Sequence, residues 1–95
     1  MPDFVFTYRR PEGQAPNMEE GQRWFTWFDE IREHISVPGN AVTVARRVGN
    51  VSGDQDVSGF SVISARDLDH AVEIAQGCPA IAQGYGLEVG ELMEM

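Results

Sequence analysis

Cysteine is nearly absent. Cys78 is the one example, so no internal disulfide can brace the fold, as suits a reducing compartment such as the cytoplasm. Basic residues are scarce as well: seven against fifteen acidic ones leave a formal charge of −8. Nucleic-acid affinity comes mostly from Lys and Arg displacing counterions, so DNA and RNA are poor partners for this chain. The same charge is repelled by anionic membrane surfaces, and no apolar run approaches the ~20 residues that a bilayer-spanning helix needs. The first residues, MPDFVFTYRR, lack the charged-then-apolar order of a signal peptide. There is no His-x₃-His, no cysteine pair and no carboxylate cluster, so neither a metal nor another cofactor is expected. No repeat is present, and 95 residues leave room for one domain, spanning 1–95.

What the chain does hold is enough to fold. Hydrophobic residues make up 42% and charged residues 23%, too apolar a balance for disorder. A domain of this size buries ~65% of the surface its unfolded chain exposes.

Residues 59–89 carry the clearest local instruction. GFSVISA reads as a buried strand, ARDLDHAVEIAQ as a helix capped by Asp67, GCP as its stop, and YGLEV as a returning strand. Upstream, Asp3 to Tyr8 alternates Phe4, Phe6 and Tyr8 with Val5 and Thr7, a first strand apolar on both faces. Arg9 to Pro16 reads as a loop. Asn17 and Glu20 form a capping pair for a helix running to about Ile35, with Trp24, Phe25, Phe28, Ile31 and Ile35 as its apolar stripe. Pro38-Gly39-Asn40 turns the chain. Ala41 to Arg47 is the expected second strand, 48–57 a polar loop or arm, Ser58 to Ala65 the third strand, and Tyr85 to about Leu92 the last.

The order is β-α-β-β-α-β, an α+β ferredoxin-like arrangement with two helices on one face of a four-stranded antiparallel sheet. The strands are apolar on both faces, so the face without helices needs cover, and a second copy related by a two-fold axis is the simplest source. The expectation is a homodimer with its sheets face to face.

GFSVISARDLDHAVEIAQGCPAIAQGYGLEVGELMEM resembles the C-terminal half of YCII-related proteins, where a Gly-aromatic strand, an acidic-capped helix, a Cys-Pro stop and a terminal strand follow in that order. Trp24-Phe25-Thr26-Trp27-Phe28, followed by Pro38-Gly39-Asn40, is similar to that family's tryptophan-bearing helix and glycine turn. The resemblance implies a dimeric α+β barrel. Two family motifs are missing. One branch carries Asp-Gly-Pro-Phe ahead of the third strand, where this chain has Val51-Ser52-Gly53-Asp54-Gln55-Asp56-Val57. Another pairs a first-helix His with an Asp, where this chain has Gln22, Arg23 and Trp24. Glutamine exchanges no proton near neutral pH, so acid–base chemistry of that design is not supported.

Candidate ligand-binding residues are Tyr8 at the end of the first strand, Trp27 among the helix aromatics, Asn40 after the turn, His34 and Arg46. Helix geometry cannot bury Trp24, Phe25, Trp27 and Phe28 against one sheet, so one of them should line a cleft or the dimer seam. For Arg46 an ion pair with an acidic neighbour outranks an anionic ligand. His34 and His70 suit solvated helix-end roles, and Cys78, at a helix C-terminus, lacks the electropositive setting of a nucleophile. Three functions compete: a homodimer that binds a small molecule in a helix–sheet cleft, a cofactor-independent enzyme such as a lyase, dehalogenase or oxygenase-like protein, and a structural interaction module. No catalytic residue is named by sequence. Sedimentation velocity at micromolar concentration should show a two-chain species, and a purely monomeric boundary would refute the buried second face.

Overall fold

The computed structural model describes residues 1–11 and 18–94, the side chains of residues 18–20 excepted. Strand β1, Asp3–Pro11, lies between β3, Gln55–Ser64, and β4, Leu87–Glu91; β2, Ile35–Val37, pairs with the outer edge of β3. The sheet order is β2-β3-β1-β4 with every pairing antiparallel, the ferredoxin-like order. Helix α1 is Met18–Glu30, α2 is Leu68–Ala75, and a short α3, Pro79–Ala82, precedes β4.

Alternation along β1 sends Phe4, Phe6 and Tyr8 toward the helices, where Phe4 and Phe6 are fully buried. Ser61 and Ile63 of β3 lie opposite Phe6 and Phe4 and are equally buried. Trp27 and Ile31 of α1, Ala71 and Ala75 of α2, and Cys78 and Ala80 complete the core. The alanines let α2 and α3 lie close to the sheet, and each buried Phe contributes about 1.5–3 kcal/mol. Asp67 caps α2 as expected, accepting from the His70 amide at 2.8 Å.

Several boundaries differ from the sequence reading. Helix α1 stops at Glu30, a 3-10 turn follows at Arg32–His34, and Ile35 opens β2 opposite Ile63 instead of closing the helix stripe. The second strand is therefore 35–37 and not 41–47. Pro38 has no amide to donate and Gly39 turns at φ 75°, so the ladder breaks there and continues beyond it as an Ala41–Gly59 bridge, a Phe60 amide bond to the Asn40 carbonyl and a Val42 amide bond to the Ser58 carbonyl. Beyond it, guanidinium groups take carbonyls that a ladder would use: Arg10 Nη2 bonds Thr43 O at 3.2 Å, and Arg47 Nη2 bonds Gln55 O at 3.0 Å. Strand β1 runs on past Tyr8 because β3 begins at Gln55 and pairs with Pro11, Arg10 and Arg9 across a bulge. Pro79 does not only stop a helix; it starts α3 at a position where its missing amide costs nothing. The capping role of Asn17 and Glu20 and the rest of the 9–16 loop lie outside the described residues and side chains.

On the face away from the helices, Val5 sits opposite Val62 and Thr7 opposite Phe60, with Val37 beside Val62. Val37 is 46% exposed there.

Gly39 holds the turn after β2 against β3. A Cβ at this position would collide with the Phe60 carbonyl, and the positive φ adds strain. Gly39→Ala should lower stability by about 2 kcal/mol or more in chemical denaturation, and an unchanged midpoint would contradict this packing.

Candidate functional site

An open cavity of about 550 Å³ lies between α1 and the end of the sheet where β1 meets β3. Trp24, Phe25 and Phe28 of α1 wall one side, Tyr8 and Arg10 come from β1, and Pro38 to Ala41 and Phe60 close the far side. Gln83 and Tyr85, between α3 and β4, form the remaining edge. Its volume falls in the range of small-molecule sites, and its walls are mostly apolar with a few polar groups.

The aromatic wall is built by helical spacing. Trp24, Trp27, Phe28 and Ile31 fall at steps of three, four and seven, so they share one face of α1. Tyr8 meets that face edge-on, its ring 4.8 Å from Trp24 and 6.3 Å from Phe28. Such pairs add about 0.5–1.5 kcal/mol each beyond area burial. Trp27 sits deepest, 4% exposed and stacked over Phe6 at 6.5 Å, so it packs the core behind the cavity. Phe25, some 100° around the helix, is 76% exposed and stands at the cavity's mouth.

Tyr8 is held by a directional chain of hydrogen bonds. Its hydroxyl donates to Ser61 Oγ at 2.9 Å, and Ser61 Oγ donates to the Pro38 carbonyl at 2.8 Å. A carbonyl can only accept, so the Ser61 proton is committed to Pro38 and the Tyr8 proton to Ser61. The Tyr8 oxygen keeps accepting capacity alone. Burial pushes the Tyr8 phenol well above its ordinary range, outweighing the opposing effect of the Ser61 bond. It is neither a base nor an acid near neutrality.

Two of the five sequence candidates, Tyr8 and Asn40, meet at this cavity. Trp27, His34 and Arg46 are not among its described lining residues. His34 lies at the end of the 3-10 turn with its ring 5.4 Å from that of His70 and its Nε2 3.7 Å from Glu33. Arg46 is exposed and makes no ion pair among the described residues; Arg47 takes that role, 3.3 Å from Asp56. Cys78 is buried at 2% exposure, and burial raises its thiol to about 12, leaving no thiolate for nucleophilic work.

Sequence reasoning missed Trp24, Phe28, Arg10 and Gln83. The i, i+3, i+4, i+7 set starting at Trp24 would have identified the first two and relieved Trp27 of its ligand role. Extending the inward alternation 4-6-8 by one step points to Arg10. Nothing local marks Gln83.

The described lining includes no His, Cys, Asp, Glu or Lys. Proton transfer at neutral pH commonly uses a group of that kind, and a serine nucleophile needs a base beside it. Among the described residues no three His, Cys, Asp or Glu gather as a metal site, and no helix is long and apolar enough to cross a membrane.

No family model matches the chain, and no curated protein matches it. Among solved structures it is similar to 5-chloro-2-hydroxyhydroquinone dehydrochlorinase from Burkholderia phenoliruptrix AC1100, in complex with 2,5-dihydroxybenzoquinone. The TM-score is 0.69 at 15% identity, over 100% of this chain and 96% of that one. The two share a fold.

Tyr8 and Cys78 are acids that folding keeps neutral. The unfolded chain ionises them at ordinary values of 10.0 and 9.0, before the folded chain does, so stability is full below the lower value and declines as pH rises above it. Denaturation midpoints should fall from about pH 9 toward about pH 11, and the fall should be smaller in Tyr8→Phe and Cys78→Ala. A flat profile in the parent protein would contradict this burial.

Proposed function

We propose that this protein is a homodimeric, cytoplasmic α+β barrel of the YCII-related kind that binds a compact, largely aromatic small molecule in the cleft between α1 and the sheet. The observation that carries the reading is the open cavity walled by Trp24, Phe25 and Phe28, with no proton-transfer group among its described residues. That lining supports binding without transformation. Aromatic walls favour a planar ring through offset or edge contacts, and the Tyr8 oxygen and Asn40 supply polar contacts at the deep end and the rim. The exposed Val37, beside Val62 on the sheet's other face, supports a second copy packed there. The acidic surface fits neither nucleic acid nor an anionic membrane as partner.

The second reading is a cofactor-independent enzyme. It is favoured by one observation, that the structure sharing this fold belongs to a dehydrochlorinase with a ring-shaped ligand bound. In that reading Tyr8 and Asn40 would polarise an already reactive ring, and the chemistry would reside in the substrate.

Phe25 gives a clean test because it lines the mouth yet contributes little to the core. With p-cresol as probe, tryptophan fluorescence should report saturable binding. Phe25→Ala should weaken it about fivefold while moving stability by less than about 1 kcal/mol, and Trp24→Ala should weaken it further. Undiminished binding in both variants would place the ligand elsewhere.

A further inference from the structure

Charge is distributed unevenly between this protein and its cleft. The chain carries fifteen acidic residues and a formal charge of −8, yet no carboxylate is among the described residues that line the cavity, whereas two arginines are. The two differ in what holds them. Arg9 reaches Glu88 at 3.9 Å. Arg10 makes no ion pair among the described residues; its one hydrogen bond there runs from Nη2 to the Thr43 carbonyl, and its Nε is buried with no partner. Asp56, across the ladder from Arg10, is engaged by Arg47.

A guanidinium stays charged at any physiological pH, and a cation half-buried against apolar walls is poorly screened by water. Left unpaired it carries a desolvation cost that an anion brought into the cleft would offset. Gln83 shows the same deficit in neutral form. Its amide nitrogen and oxygen are both shut off from solvent without a partner among the described residues, although the residue lines the cavity, so rotating the amide toward a ligand would satisfy one donor and one acceptor.

We propose that the cleft selects aromatic anions, with the ligand's charged oxygen held by Arg10, its ring against Trp24 and Phe28, and a hydroxyl or carbonyl group met by Gln83. This rests on the cleft being a ligand site and adds the charge of what it takes. A bidentate arginine–oxyanion contact is stronger and more directional than a neutral hydrogen bond, so the anion gains where a neutral isostere of equal size does not.

Calorimetric titration of the full chain with 4-hydroxybenzoate, 4-hydroxybenzamide and p-cresol tests it. The benzoate should bind at least about tenfold tighter than the benzamide in the parent protein. Arg10→Met should bring those two within about twofold, and Arg10→Lys should keep part of the preference because it keeps the charge. Equal affinities for benzoate and benzamide in the parent would overturn the inference without any variant being needed, while saturable p-cresol binding would leave the cleft reading standing. A preference that survives in a folded Arg10→Met would overturn Arg10 as its source. If none of the three ligands binds at millimolar concentration, the cleft reading falls and the inference with it.

Discussion

Three segments distant in the chain are joined by one short run of hydrogen bonds. Tyr8 of β1 donates to Ser61 of β3, and Ser61 donates to the Pro38 carbonyl just beyond β2. Each bond is worth only about 1 kcal/mol net, but removing one partner would strand a buried group at a cost of about 1–3 kcal/mol. Ser61 is fully buried, so the chain allows one arrangement of the three segments. The Tyr8 ring is thereby fixed against Trp24 and Phe28, and the turn at Pro38 and Gly39 is held over β3 close enough to admit only glycine. The cleft is the space left between those fixed parts.

That constraint also decides the chemistry of the space. A tyrosine with a free hydroxyl could serve as an acid or could be drawn toward ionisation by the nearby arginines. This one has its proton engaged by serine and its ring buried, so it offers an accepting oxygen and a rigid wall. The two histidines, His34 and His70, meet edge to face beyond α1 and outside the described lining. What remains is a cavity lined by aromatic side chains and two arginines.

The architecture was readable in advance wherever its cause was local. The Asp67 cap, the small alanines of α2 and the alternation of β1 and β3 lie in short windows, and they appear in the fold as the residues suggest. The second strand did not follow. Ala41-Val42-Thr43-Val44 has the alternation of a strand, but a strand needs a neighbour, and the proline and glycine before it offset the chain so that Arg10 and Arg47 occupy carbonyls along the edge. Propensity lost there to geometry set by residues in β1 and in the 41–54 segment. Phe60 and Ser61 make a similar point: hydrophobicity alone would put the phenylalanine in the core, yet register puts the serine there, where two hydrogen bonds satisfy it.

The sequence by itself determined the order of elements, the ferredoxin-like class, the acidic surface and the presence of an aromatic helix face, because caps, periodicity and net charge are properties of neighbouring residues or of their sum. Only the tertiary structure decided that Tyr8, Arg10, Trp24, Asn40 and Gln83 border one cavity while Trp27, His34 and Arg46 do not. Those five come from β1, α1, the turn after β2 and the end of α3. Their proximity is created by strand pairing and helix packing across long stretches of chain, and no spacing along the polypeptide encodes it.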